Sequence, residues 1–178
     1  MKKQTLLQMW DHLRQGHGIT LRTIAALPAD KLDSHPISNM RTPKELIVHI
    51  YDVVFKKMAE GVARGELVID MDPNRGEEKK IASSLKTRDD ILKFARDTWN
   101  ATDKIVNGIT DAQLDAIVKT PFGMDFPGFA IFGITNDEFL HHRGQLYAFS
   151  RALGVEPPMM WDFQNNEAAF QPRVAAQA

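Results

Sequence analysis

The sequence contains no cysteine. Disulfides, thiolate zinc sites and a cysteine nucleophile are thereby excluded, and any thiol chemistry has to use a small-molecule thiol. A surplus of either charge is also missing: 22 Lys and Arg face 23 Asp and Glu, with no long run of one sign. A phosphate backbone would find no electrostatic footprint here, so nucleic-acid binding is not expected. No apolar stretch approaches the length of a membrane span. Near the amino terminus, Asp11, His12 and Arg14 end the apolar run too early for a signal-peptide core. A cytoplasmic protein without membrane association is expected. Strand signals are equally scarce, since Leu67-Val68-Ile69 is short and isolated.

What is present is helical periodicity. Leu6, Met9, Trp10, Leu13, Leu21, Ile24 and Leu27 recur at intervals of three and four until Pro28, with His17 on the same stripe. Thr42-Pro43-Lys44-Glu45 is a capping box with proline at the first helical position. It opens a helix carrying Leu46, His49, Ile50, Val53, Val54, Phe55 and Met58 that fades near Gly61 to Gly65. Residues 65–86 are charged and turn-rich and read as an exposed loop. Thr87 caps a third helix with Asp89 and Asp90 at its positive end and an inner stripe of Ile91, Phe94, Ala95, Thr98, Thr102, Ile105 and Ile109. Thr110-Asp111-Ala112-Gln113 opens a short helix ending before Pro121, and a last long helix runs over roughly 129–153, stopped by Gly154 and Pro157-Pro158. The pattern predicts an all-α four-helix bundle with an extra short helix between the third and fourth long helices. One domain over residues 1–178 is expected, with a core over about 5–158 and a tail over 159–178. That tail begins with Met159, Met160, Trp161 and Phe163, suited to cover a bundle end or a partner, and then frays.

Three polar groups interrupt the inward stripes. In the last helix, Glu138 and His142 stand one turn apart within Ile131, Ile134, Glu138, His142, Leu146, Phe149 and Leu153, and both are expected to be buried. Burying a carboxylate without compensation costs several kcal/mol. The pair therefore needs a cation, a hydrogen-bond network or a metal. His49 interrupts the second helix in the same way, between Leu46 and Val53. Facing helices of a bundle bring such groups together, and His49, Glu138 and His142 make a His2Glu set with open coordination positions. Zn²⁺, Ni²⁺, Fe²⁺ and Mn²⁺ all suit these donors. The His-Glu-x-x-His of zincins and the paired Glu-x-x-His of di-iron bundles are absent.

Glu-Phe-Leu-His-His-Arg-Gly-Gln-Leu-Tyr at 138–147 resembles the last-helix signature of the DinB/YfiT-like superfamily. Leu27 to Leu32, and Met40 to Leu46 followed by His49, are similar to that family's first connection and second helix. The resemblance implies a four-helix bundle, a homodimer, and one divalent metal held by a second-helix histidine and two fourth-helix residues four apart. Many members have histidine at both of the latter. This chain has Glu138 at the first, a His-Glu-His set similar to that of mycothiol-dependent maleylpyruvate isomerase. Within the signature, His141 is expected outside the ligand set, Arg143 and Gln145 in structural hydrogen bonds, and Gly144 at a close helix approach. His17 either lines the pocket or packs.

The resemblance implies a metal-dependent enzyme that activates a low-molecular-weight thiol for transfer to, or isomerisation of, a small electrophilic substrate. A divalent metal would supply that chemistry by lowering the pKa of a thiol. Metal-assisted hydrolysis is the alternative enzymatic reading, but no further inward carboxylate is evident to act as base. A non-catalytic, metal-stabilised, stress-associated binding module is the third. No residue is singled out as catalytic.

Overall fold

The computed structural model describes residues 1–72 and 74–173. The elements run α1 (Lys3–Ala26), α2 (residues 43–64), α3 (Gly76–Ser84), α4 (Arg88–Gly108), α5 (Asp111–Asp115), β1 (Ile117–Val118), β2 (Phe126–Pro127) and α6 (Gly128–Ala152). The long helices α1, α2, α4 and α6 form the bundle, and α5 is the short helix between the last two. The three threonine caps behave as their sequences dictate: Thr42, Thr87 and Thr110 each accept from the third helical amide, with the reciprocal bond made by Glu45, Asp90 and Gln113. Gly154, at φ 77°, follows the end of α6 in the left-handed region that a β-carbon disfavours.

An aromatic cluster joins the four helices. Trp10 of α1 stacks on Trp99 of α4 at 4.6 Å, and Phe55 of α2 meets both edge-on at 5.8 and 5.1 Å and Phe139 of α6 at 4.9 Å. Such pairs add about 0.5–1.5 kcal/mol each beyond the area they bury. On α4 the buried row is Ile91, Ala95, Trp99, Thr102 and Val106. Trp99 and Val106 thus take the places expected for Thr98 and Ile105, because the large indole fills the bundle centre and turns the helix by about one residue.

Helix α2 departs from simple periodicity. It is α-helical over Pro43–Val48, π-helical over His49–Lys57 and α-helical again over Met58–Arg64. A π-helix widens the turn, and nearly every residue from Leu46 to Phe55 is buried. His49 is its first residue.

Two expected irregular regions are structured. Residues 65–86 contain α3, with Glu78 and Ala82 buried. Its stability is tertiary: Lys57 of α2 bonds Glu77, and Glu78 meets His49. The segment after the Met159–Phe163 cluster, expected to fray, instead packs along α1 as far as Arg173, while 174–178 lie outside the described residues. Asn166 donates to the carbonyls of Gln15 and Phe170, Arg14 to those of Ala169 and Gln171, and Arg96 pairs with Glu167. Gly16 and Gly18 make this possible. A β-carbon on Gly18 would stand 2.6 Å from Asn166 Nδ2 and Phe170 Cβ. Of the two roles expected for the cluster, covering a bundle end is not seen for Met159, Met160 and Trp161, which stay exposed in the single chain. The strand pair β1–β2 is a two-residue antiparallel ladder that leads into α6. Among the described residues, no helix is long and apolar enough to cross a membrane.

Candidate metal centre

His49, Glu138 and His142 come together between α2 and α6. One donor atom from each lies within 4.8 Å of the others, and the two imidazoles meet edge to face at 4.7 Å. The burial of the pair on α6 differs from expectation. His142 is buried, but the Glu138 side chain is 43% exposed. The inward row of α6 is Ile131, Thr135, Phe139, His142, Leu146 and Phe149. Phe139 occupies the core position, and Glu138, rotated by about 100°, faces the edge of a cavity. Its carboxylate keeps part of its hydration, which removes most of the burial cost argued from the stripe.

Both imidazoles are oriented by a second group. His49 Nδ1 lies 3.0 Å from Glu78 Oε2 and 3.3 Å from the Arg41 guanidinium, which is itself 3.8 Å from Glu78. A carboxylate only accepts, so Nδ1 carries the proton and Arg41 acts on the pair through its charge. This leaves the lone pair on His49 Nε2. On the other helix, His142 Nδ1 donates to Gln145 Oε1 at 2.9 Å, and the Gln145 amide donates to His141 Nε2 at 2.9 Å. His142 Nε2 is then the acceptor, buried and without a hydrogen-bond partner among the described residues. The Glu138 carboxylate lies 3.1 Å from it. An orphaned imidazole lone pair beside a carboxylate is a donor set that a divalent cation satisfies. Burial lowers the His142 pKa, as do His49 and Arg41, against Gln145 and Glu138, which raise it; the net effect favours the neutral, donor form. For Glu78, burial pushes the carboxyl up, but the His49 hydrogen bond and the charges of Arg41 and Arg75 outweigh it and hold it below the ordinary range.

The remaining signature residues surround these donors. His141 is exposed and accepts from Gln145. Arg143 is buried and, among the described residues, makes none of the expected side-chain hydrogen bonds; its guanidinium lies 5.5 Å over the Phe139 ring, where the π face offsets part of its desolvation. Gly144 makes no close helix approach, since a β-carbon there would meet nothing within 4 Å. His17 packs rather than lining the cavity: it is fully buried, bonds Tyr51 at 2.7 Å and stacks on Trp99 at 4.7 Å.

Beside the donors lies a cavity of about 430 Å³ whose lining includes His49 and Glu138 together with Val54, Met58, Phe126 and Ile134. Sequence reasoning missed Glu78, the role of Arg41 and the contribution of the loop before α6. Only Glu78 and Ala82, one turn apart, mark the inner face of α3, too short a stripe to separate a helix from a charged loop. The inward carboxylate thought to be lacking is Glu78, engaged with His49 and Arg41.

No curated protein matches the chain. Among solved structures it is similar to a DinB-like protein, YjoA, from Bacillus subtilis, at 20% identity and a TM-score of 0.68 over 94% of this chain and 99% of that one. At that identity the likeness speaks to the fold alone, an all-α DinB-like fold. The DinB superfamily model matches residues 12–146, and the chain belongs to that superfamily.

Proposed function

We propose that His49, Glu138 and His142 hold one divalent cation, Zn²⁺, Ni²⁺, Fe²⁺ or Mn²⁺, and that the protein is a metal-dependent enzyme. It uses a low-molecular-weight thiol to attack or isomerise a small electrophilic substrate, and works as a cytoplasmic homodimer. The observation that carries the reading is the orphaned, buried His142 Nε2 beside the Glu138 carboxylate and the His49 ring. When bound, the cation would lower the pKa of a thiol and keep its sulfur nucleophilic at neutral pH.

The chain's own residues do the remainder. His49 and His142 offer Nε2 lone pairs because Glu78 and Gln145 engage their Nδ1 protons. Glu138 contributes a negative charge, which offsets the excess positive charge of a divalent site relative to three histidines. The apolar cavity beside them holds the apolar part of a reactant and excludes water. In the transfer reaction the thiol loses its proton, the sulfur electron pair forms a C–S bond, and the C–X bond breaks. Its electrons leave with X, which takes the proton up. Hydrolysis is less well supported, because Glu78, the additional inward carboxylate, is committed to His49 and Arg41.

The test is metal content. Protein purified without chelator or histidine tag should carry about one divalent ion per chain, lost in His49→Ala and His142→Ala and reduced in Glu138→Ala. Metal-loaded protein should then displace chloride from a chlorodinitrobenzene at the expense of an added thiol. Absence of stoichiometric metal in every preparation would sink the proposal.

A further inference from the structure

The cavity beside His49 and Glu138 carries information about its ligand that the donor set does not. Apart from those two residues its lining is wholly apolar. The two polar residues belong to one donor cluster, so polarity is confined to one end. Among the described residues, no lysine or arginine lines it. The nearby cations are already committed: Arg41 to Glu78, and Lys57 to Asp52 and Glu77. At the mouth, the loop between β1 and β2 presents Phe122, 45% exposed, and Met124, 61% exposed. This loop is held by its own hydrogen bonds, Thr120 N to Asp125 and Thr120 Oγ1 to the Met124 carbonyl, and by the β1–β2 pairing. Phe122 and Met124 are therefore displayed rather than packed, and methionine adapts readily to an apolar surface. The volume lies at the small-ligand end of the range typical of binding pockets, about 300–1,000 Å³.

We propose that the cavity binds the uncharged, apolar chain or ring of a small ligand whose single donor head sits at His49 and Glu138. Polyhydroxylated or multiply charged molecules are discriminated against, because their polar groups would be desolvated against Val54, Met58, Phe126 and Ile134 without partners. The position of the head rests on the metal reading above; the apolar part does not.

Metal-free full-length protein tests the apolar part. The neutral fluorophore N-phenyl-1-naphthylamine should bind and be displaced by straight-chain 1-alkanols, with affinity rising about 4-fold per methylene until the cavity is full. Ile134→Trp, which fills the cavity, and Met124→Glu, an exposed change at the mouth that leaves the core untouched, should each weaken alkanol binding about 10-fold or more, consistent with lost apolar burial. Affinity independent of chain length, or unchanged in Met124→Glu, would overturn the proposal. So would release of the fluorophore as the chain self-associates, which would make a second copy the occupant. In a second arm, Co²⁺-loaded protein is titrated with 1-hexanethiol and with glutathione. The former should perturb the cobalt spectrum at a concentration at least about 10-fold lower, and equal response to the two overturns the proposal. Failure to bind cobalt at all counts against the metal reading, while the alkanol series still decides this one.

Discussion

At the proposed metal centre, replacing Glu78 should loosen metal binding although the residue stands outside the proposed donor set. Its carboxylate accepts from His49 Nδ1 at 3.0 Å, and a hydrogen bond involving a charged group contributes about 1.5–3 kcal/mol. Loss of a group that orients a ligating histidine lowers metal affinity about 10–100-fold, or about 1.4–2.7 kcal/mol, in agreement with the first figure. A second effect adds to it. With Glu78 gone, the Arg41 guanidinium remains 3.3 Å from the imidazole with its nearest anion removed, and its charge opposes a cation on the far nitrogen. Glu78→Ala should therefore approach the 100-fold end, whereas Glu78→Gln, which keeps an acceptor but no charge, should fall between it and the native protein. Adding Arg41→Met to Glu78→Ala should recover part of the loss. Glu77→Gln, on the same helix but paired with Lys57, is the control for helix stability and should leave affinity unchanged. Zn²⁺ affinity measured against a competing chelator, alongside thermal melts of each variant, reads these effects. Affinity within about twofold of native for Glu78→Ala, well below the expected loss, or an equal loss in Glu77→Gln, would refute the reasoning.

Two further outcomes follow from the packing around α1. Burial holds the His17 imidazole well below its ordinary value of 6.5, so the native state keeps it neutral while the unfolded chain takes up a proton. Stability is therefore complete above about pH 6.5 and falls as the pH drops toward the lowered native value, by about 1.4 kcal/mol between pH 7.5 and 5.5. Urea titrations at the two pH values should show that loss in the native protein and a smaller one in His17→Phe; equal losses would refute it. Gly18→Ala places a β-carbon 2.6 Å from Asn166 and Phe170. The overpacking cost of about 1–3 kcal/mol should exceed the helix-propensity gain of up to about 1 kcal/mol. A lowered melting temperature and faster proteolysis beyond Pro158 are expected, and unchanged behaviour in both would show that the segment is not seated there.

The features legible in the sequence are those whose causes are local. A threonine followed three residues later by Glu, Asp or Gln is itself the hydrogen-bonded cap, so α2, α4 and α5 start where Thr42, Thr87 and Thr110 indicate. His49 and His142 were conspicuous because they interrupt apolar rows, and those rows do bring them together. Glu138 shared the spacing but not the burial. A stripe read at fixed intervals cannot tell position 138 from its neighbour 139, and the larger apolar gain from burying Phe139 decided the rotation. The π-helical stretch shifts the downstream face of α2 without leaving a mark in composition. Helix α3 and the segment over 159–173 are illegible for a common reason: their anchors are scattered long-range contacts, among them Glu78 to His49 and Arg14 to the carbonyls of residues 169 and 171. Backbone acceptors carry no side-chain signature.

The return of the chain onto α1 bears on how the molecule is made. The contacts that close the groove over Gly16 to Gly18 join residues 151, 155 and 157 positions apart. During vectorial synthesis, α1 leaves the ribosome long before its cover exists, and the face of His17 that meets Phe170 stays open after Tyr51 and Trp99 have closed on the others. Loop closure over such a span is among the slower steps of assembly. The four helices can associate first, but complete burial of His17 must wait for Phe170, which is made long after it. A pause in synthesis before these residues should thus yield a bundle with α1 still accessible to chaperones and proteases.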